Sequence, residues 1–187
     1  RIFVGGATTD GDGGGGWFTY DSTNSITSDG YMVVAPNSGP GRYLREYNGH
    51  LNVLWFGATG DGVTDDAAAV QRAINWADAP TYGYGLNAYG SSISLGVYCP
   101  PGRYLTRSTI TLKGADLFGT WGGKGDWNSH TVFVCGHSGH LFTYDYNTNN
   151  RVPHIHDLYM FGYPETYQAN KVAISAVTGR TVFTVAT

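Results

Sequence analysis

The stretch that most constrains the fold of this chain is residues 51–79, with the sequence LNVLWFGATGDGVTDDAAAVQRAINWADA. An apolar run over 53–56 predicts a short strand, and the glycine-rich run over 57–62 predicts a sharp turn because glycine tolerates positive φ. Apolar residues then recur at helical spacing, which predicts one buried helical stripe that stops at Pro80. The residues of that stripe are Val70, Ala73, Ile74 and Ala77. The stretch therefore predicts a strand, a glycine loop and a helix.

Three polar residues predict how this helix begins. Thr64 is the expected N-cap, since its hydroxyl can accept a hydrogen bond from an unpaired amide of the first turn. Asp65 and Asp66 follow it and place negative charge at the positive end of the helix dipole. With the turn, they form one predicted structural motif. Its residues are Gly57, Gly60, Asp61, Gly62, Thr64, Asp65 and Asp66.

This motif resembles the opening segment of the pectate-lyase-like superfamily of single-stranded right-handed parallel β-helices. The residues that carry the resemblance are Val53, Phe56, Gly57, Ala58, Gly60, Asp61, Gly62, Thr64, Asp65, Asp66, Ala69 and Ile74. The resemblance implies a mainly β fold in which this strand, loop and helix cover the N-terminal end of the β-helix. An unrelated strand–turn–helix is the plainer alternative. The unbroken run over 56–66 favours the superfamily, because it lies between a strand and a helix.

The chain after residue 80 predicts the first rungs of the β-helix. Short β-rich segments recur there at roughly even intervals between Gly/Asn loops, as in a solenoid. They cover 93–98, 99–105, 108–112, 116–119, 131–135, 154–160, 171–176 and 181–185. A β-sandwich would give the same pattern, and only the opening motif decides between the two. We predict an opening segment over 51–80 and rungs over 81–187, in a chain truncated from a longer one, because an uncapped last rung exposes a sheet end.

Residues 1–50 predict a small β module. Strands are expected at 17–20, 31–36 and 42–47, joined by polar and glycine-rich loops. The order of these segments ahead of the β-helix is similar to that in bacteriophage tailspikes, in which such a module lies toward the virion. The residues that carry this resemblance are Trp17, Phe18, Asp21, Ser22, Gly30, Val34, Ala35, Pro36, Gly41, Arg42, Tyr43 and Leu44.

Composition narrows the partners and the compartment. The formal net charge is −3 with no block of like charges, which argues against a nucleic-acid partner. No run reaches transmembrane length and no signal peptide precedes Gly5, so no membrane partner is expected. Cys99 and Cys135 make no disulfide framework and are predicted as buried thiols in neighbouring strands, consistent with assembly in a reducing cytoplasm.

Side chains that could carry chemistry give no paired site. The pairs His137–His140 and His154–His156 have no acidic or cysteine partner at a metal-binding spacing, so we expect no metal and no cofactor. Glycoside hydrolysis needs two facing carboxylates, and none of the 14 acidic residues is visibly paired by spacing. Sites on a β-helix are assembled across rungs, which leaves the catalytic residues unknown.

The loop over 120–130, TWGGKGDWNSH, is the strongest candidate for a binding surface. Trp121 and Trp127 can offer flat apolar faces for stacking on sugar rings, and Asp126 and His130 can hydrogen-bond to hydroxyls. The alternative is that one or both tryptophans pack under the loop or against a neighbouring subunit. The loop predicts saccharide contact.

The resemblance implies a tailspike, which recognises and usually cleaves a host surface polysaccharide such as capsule, O-antigen or exopolysaccharide. It further implies a homotrimer on the virion, attached to a phage tail or baseplate protein toward the N-terminus and assembled in the host cytoplasm. The reaction, hydrolase or lyase, is open, and the active carboxylates are expected beyond this chain. The alternatives are a non-catalytic tail adhesin and a bacterial secreted polysaccharide lyase or glycosidase. A prophage-encoded spike would look the same.

Overall fold

A computed structural model of the chain describes residues 1–78, 95–122, 129–145 and 153–162, and the backbone of two further strands. The protein is mainly β, with one α-helix, α1 (Ala67–Asp78), and a 3₁₀ helix (Val53–Phe56). The strands are, in chain order, β1 (Ile2–Val4), β2 (Gly16–Asp21), β3 (Val33–Val34), β4 (Arg42–Arg45), β5 (Leu51–Asn52), β6 (Asp61–Asp65), β7 (Val97–Tyr98), β8 (Gly102–Thr106), β9 (Ile110–Leu112), β10 (Leu117–Phe118), β11 (Thr131–Cys135), β12 (Phe142–Tyr144), β13 (Ile155–His156), β14 (Tyr159–Gly162), β15 (Ala173–Ala176) and β16 (Thr181–Thr184).

The strands from β5 onward form three sheets, and successive strands of the chain join different sheets. Sheet 1 has the order β13-β10-β7-β5, sheet 2 has β14-β11-β8-β6, and sheet 3 has β16-β15-β12-β9. Consecutive strands β7, β8 and β9 therefore go to three different sheets, and β10, β11 and β12 pair with them in parallel. This β-helix-like arrangement confirms the predicted parallel sheets. The last strand departs from it, since β16 pairs with β15 in the antiparallel direction.

The inward side chains of the three sheets meet in one core. Leu51, Val97, Tyr104, Ile110, Leu117, Phe133 and Phe142 all have essentially no exposed surface. Phe133 stacks on Tyr104 with ring centroids 5.3 Å apart, and its other neighbour is the ring of Phe142, also at 5.3 Å. Burial of each such ring stabilises the fold by roughly 1.5–3 kcal/mol. Cys99 and Cys135 are free, buried thiols as predicted, but they do not lie in neighbouring strands: Cys99 follows β7 of sheet 1 and Cys135 ends β11 of sheet 2.

The prediction of a strand over 53–56 is wrong. The strand β5 ends at Asn52, whose side-chain Oδ1 accepts a hydrogen bond from the Leu54 N–H at 3.0 Å and so caps a 3₁₀ helix. Gly57 ends this helix at φ 88°, and its N–H donates to the Leu54 carbonyl at 3.1 Å. A polar cap and a glycine stop thus override the strand tendency of the apolar run.

The start of α1 also differs from the prediction, because Thr64 is not its N-cap. Thr64 lies in β6, and its hydroxyl donates to Asp61 Oδ2 at 2.7 Å. The helix begins three residues after Thr64, at Ala67, and the preceding Asp66 carbonyl accepts from the Val70 N–H at 3.0 Å. Asp65 Oδ1 accepts from the Ala67 N–H at 3.1 Å. The predicted apolar stripe is confirmed: Val70, Ala73, Ile74 and Ala77 are all buried.

Asp66 fastens the glycine loop to the start of α1. Its fully buried carboxylate accepts from the Thr59 N–H at 2.7 Å and from the Gly60 N–H at 3.1 Å. Burial raises the pKa of Asp66 above its ordinary value even though these hydrogen bonds act to lower it. As predicted, the three motif glycines have positive φ: 88° at Gly57, 64° at Gly60 and 77° at Gly62. The motif is a turn held in place by a buried acid.

Residues before β5 form the N-terminal sheet, an antiparallel sheet of order β1-β2-β4-β3. The three predicted strands are confirmed: β2 is one residue longer at each end than predicted, and β3 and β4 are shorter. The strand β1 is an additional one that the sequence pattern did not predict. Buried side chains of this sheet, Val33 and Leu44, belong to the same apolar core as the parallel sheets. No helix in the described ranges is both long enough and apolar enough to cross a bilayer.

Candidate functional site

The loop predicted to bind saccharide lies at a corner of the fold, where the chain passes from sheet 1 to sheet 2. It connects β10 to β11, and its base is closed by Thr120 and Thr131. The Thr131 N–H donates to the Thr120 carbonyl at 3.1 Å, and the Thr120 N–H donates to Thr131 Oγ1 at 2.9 Å. The turns above and below it are short, covering 99–101 and 157–158. Two of the predicted contacts, Asp126 and Trp127, lie outside the described residues.

Trp121 is the exposed side chain of this corner. Its exposed fraction is 59%, and its ring stacks on Tyr159 with centroids 4.8 Å apart and an interplanar angle of 23°. The Tyr159 ring is in turn nearly parallel to that of Phe161, at 6.3 Å and 18°. We call Trp121, Tyr159 and Phe161 the aromatic row. It runs from the corner along β14 and is exposed at both ends, since Phe161 is 42% exposed.

The aromatic row rests on an apolar patch of sheet 2 that faces away from the core. Successive side chains of a strand point to opposite faces, so Leu105, Val132 and Val134 lie on the face opposite to Tyr104 and Phe133. Those three side chains form a separate buried cluster, against which Tyr159 packs. Tyr159 is therefore packed against buried side chains, and its stacking holds Trp121 in a defined orientation.

His130 packs against the aromatic row. It is almost fully buried, at 3% exposure, and its Nδ1 accepts a hydrogen bond from the Gly122 N–H at 2.8 Å. Its ring makes edge contacts with Trp121 at 5.9 Å and with Tyr159 at 5.0 Å. The sequence predicted that His130 would hydrogen-bond to sugar hydroxyls, and in the structure its buried ring lies against Trp121 and Tyr159.

Chemically, the described side chains of this corner offer ring surfaces. A tryptophan face presents apolar area and a negative π surface that suits the C–H face of a sugar ring. Stacking between Trp121 and Tyr159 fixes one face of the indole and restricts its rotamer, which lowers the entropy lost on binding. The described part of the corner is therefore suited to holding a ligand.

Tyr159 and Phe161 were missed as site residues. They lie far from Trp121 in the sequence, and only the parallel register of β14 on β11, with Tyr159 opposite Val132, brings them to the corner. Their alternation around Met160 was the only available signal, since it places two rings on one face of a strand. The signal could not identify which loop they would meet.

Three of the four paired histidines have local partners in the structure. His137 Nδ1 accepts from the Gly139 N–H at 3.0 Å, His154 lies against Asp116, and His156 is hydrogen-bonded to Asp157. Within the described part of the chain, no three or more His, Cys, Asp or Glu side chains are grouped so as to hold a metal ion.

Comparisons with known proteins agree with the fold. A model of the family described as rhamnogalacturonase A/epimerase, pectate lyase-like, matches residues 50–177. The non-secreted LysM effector LysM15 of Penicillium expansum is 36% identical over 90 residues, which are 47% of this chain and 6% of that protein.

Two of the solved structures to which this chain is similar are phage tailspikes. Full-length tailspike protein 2 from Escherichia coli O157:H7 bacteriophage CAB120 is 20% identical with a TM-score of 0.59, covering 97% of this chain and 22% of that one. The tailspike protein of Acinetobacter baumannii phage AM24 is 18% identical with a TM-score of 0.48, covering 86% of this chain and 30% of that one. The chain thus spans less than a third of the length of each of these proteins. Because the family model covers more than half of the chain, the chain belongs to the rhamnogalacturonase A/epimerase, pectate-lyase-like family.

Proposed function

We propose that this chain is the N-terminal part of a tailspike-type protein that binds a host surface polysaccharide. The observation that carries the proposal is the exposed Trp121 ring, held at the corner by Tyr159 and His130. Family membership supports a carbohydrate ligand, and the likeness to tailspike protein 2 over 97% of the chain supports the fold. Capsule, O-antigen and exopolysaccharide are the candidate ligands.

The proposed architecture has three parts. Residues 1–50 form a small β module toward the virion, which contacts a phage tail or baseplate protein. Residues 51–80 form the opening segment, in which α1 covers the N-terminal end of the β-helix; burial of Val70 and Ile74 in the common core supports this. Residues 81–187 form the first rungs. The full-length protein is a homotrimer of the virion tail, assembled in the host cytoplasm.

We further propose that the full-length protein depolymerises its ligand, as a glycoside hydrolase or a lyase, with catalytic residues outside this chain. Three described carboxylates support this location because they hold backbone amides and belong to turns: Asp12, Asp61 and Asp66. A non-catalytic adhesin is the second candidate, since the aromatic row gives stacking surface without a reactive group. Whether the polysaccharide becomes shorter separates the two.

Replacement of Trp121 by Ala in the full-length protein tests the binding surface. Loss of one aromatic stacking contact, worth about 1 kcal/mol, should weaken affinity for purified host polysaccharide about fivefold. Affinity would be measured by calorimetry, with Trp17→Ala as the control, because Trp17 is also exposed, at 46%, but lies on the N-terminal sheet. Unchanged affinity in a correctly folded Trp121→Ala protein would contradict the proposed site.

A further inference from the structure

A second set of rings lies on the outward face of sheet 1. Phe118 is opposite both Tyr98 and His156 in parallel register, and Leu117 before it points into the core. The His156 imidazole is parallel to the Phe118 ring at 5.4 Å and 8°, and His50 meets Phe118 edge-on at 4.7 Å. We call His50, Tyr98, Phe118 and His156 the Phe118 column. It stands on a different sheet from the aromatic row.

At the exposed end of this column, the His156 ring is hydrogen-bonded to an acidic side chain. His156 Nδ1 and Asp157 Oδ2 are 2.7 Å apart, and both side chains are about half exposed. An ionised carboxylate can only accept, so Nδ1 donates this hydrogen bond to Asp157 Oδ2. Asp157 has a φ of 57°, the one positive φ among the described residues that are not glycine. This left-handed turn brings its carboxylate beside the ring of the preceding residue.

With histidines counted as neutral, the formal charge on this face is negative. A second exposed acid, Asp116, accepts from the His154 N–H at 2.8 Å and lies 3.3 Å from the His154 ring. Neither Lys nor Arg occurs in the described strands of sheet 1 or in the residues that flank them, 95–100, 116–120 and 153–157. Two carboxylates without a nearby described cation repel an acidic ligand, and their free oxygens accept hydrogen bonds from hydroxyl groups.

We infer that the Phe118 column with Asp116 and Asp157 is a second saccharide-binding surface, selective for neutral sugar units. The inference rests on the proposed function and names the class of sugar. Rings supply apolar contact, the carboxylate oxygens accept from hydroxyls, and the acids exclude uronate or sialate groups. The Tyr98 hydroxyl is hydrogen-bonded to Thr120 Oγ1 at 2.8 Å. Because Thr120 precedes Trp121, one glycan can contact both surfaces around the corner.

Two variants of the full-length protein test this surface. Host surface polysaccharide would be cut into oligosaccharides and separated into neutral and acidic fractions, each titrated by calorimetry. His156→Ala should lower affinity for the neutral fraction at least threefold, while His140→Ala, another exposed histidine, should leave it unchanged. Asp116→Asn combined with Asp157→Asn should raise affinity for the acidic fraction, and the gain should shrink at high salt. Asn tolerates the left-handed conformation of position 157, so the fold is kept.

Three results would overturn the inference. The first is tighter binding of the acidic than of the neutral fraction by the unsubstituted protein. The second is unchanged neutral binding by His156→Ala; if Trp121→Ala still loses affinity, polysaccharide binding stands and only this surface fails. The third is dissociation of the oligomer by His156→Ala in light scattering, which would assign the face to a contact between subunits. Absence of binding to either fraction by the unsubstituted protein would remove the proposed function as well.

Discussion

Single carboxylates order the glycine-rich loops of this chain. Asp12 accepts hydrogen bonds from the Ala7, Thr8, Thr9 and Gly14 amides, at 2.7–3.0 Å. Burial acts to raise the pKa of Asp12, but these four amides hold it well below its usual range. Glycines make such turns sterically accessible, and the acid selects one conformation among the many that glycine allows.

Asp61 also orders a glycine-rich loop, and its contribution to stability depends on pH. Hydrogen bonds from the Thr64 and Val63 amides and the Thr64 hydroxyl lower the pKa of Asp61 to about 2. The folded value lies below the unfolded one, near 3.9, so the ionised acid stabilises the fold above about pH 4 and this contribution is lost as pH falls toward 2. Asp61→Asn should melt below the unsubstituted protein at pH 6, with the difference in Tm closing between pH 4 and pH 2. A difference that does not change with pH would contradict this role.

The sequence predicted some residue roles well and others poorly. Positive φ at Gly57, Gly60 and Gly62 followed from the chemistry of glycine itself. The cap role of Thr64 did not hold, because Thr64 lies in β6, three residues before α1 begins, and its hydroxyl donates to Asp61. Burial of His130 could not be predicted, since it depends on rings that reach it from another strand.

At the scale of elements, Arg45 joins the N-terminal sheet to the opening segment. Its buried guanidinium donates to the carbonyls of Gly14, Gly15 and Tyr31 at 2.8–3.1 Å. The same group lies over the Trp55 ring of the 3₁₀ helix, at 5.1 Å. Burial lowers the pKa of Arg45 to about 10, so it stays charged at neutral pH. The contacts imply that the sheet and the 3₁₀ helix move together.

Arg45→Met should weaken the contact between the N-terminal sheet and the 3₁₀ helix. Three carbonyls, that of the buried Gly14 among them, lose a charged donor, and we expect local opening to become easier by about 2–4 kcal/mol. Amide hydrogen exchange of the full-length protein over 14–20 and 42–46 would report that change. Arg107→Met is the matched control, because Arg107 is exposed. Equal protection in both variants would mean that Arg45 does not couple the two elements.

Elements were predictable where local chemistry decides them. Spacing of apolar residues gave α1, and β-branched runs such as Thr131–Cys135 gave strands. The apolar run Val53–Phe56 did not, because a side-chain cap at Asn52 decides between strand and 3₁₀ helix. The strands β1 and β12 are three residues each, too short for a period to show.

At the scale of the whole molecule, the parallel sheets put ring surfaces on two outward faces around a single core. The aromatic row lies along sheet 2 and the Phe118 column on sheet 1, and Thr120, next to Trp121, joins them through its hydrogen bond to Tyr98. The opening motif predicted the fold because a long local run specifies it. The site could be predicted only as far as Trp121, since its partner Tyr159 arrives through the stacking of β14 on β11.

The most direct measurement is a depolymerisation assay of the full-length protein on purified surface polysaccharide from its host. Chain length would be followed by size exclusion and unsaturated ends by absorbance. We predict shortened chains, with an unsaturated chromophore if the protein is a lyase and without it if it is a hydrolase. Binding with no change in chain length would contradict the enzymatic proposal and leave an adhesin. If the protein neither binds the polysaccharide nor shortens it, the proposed function as a whole is contradicted.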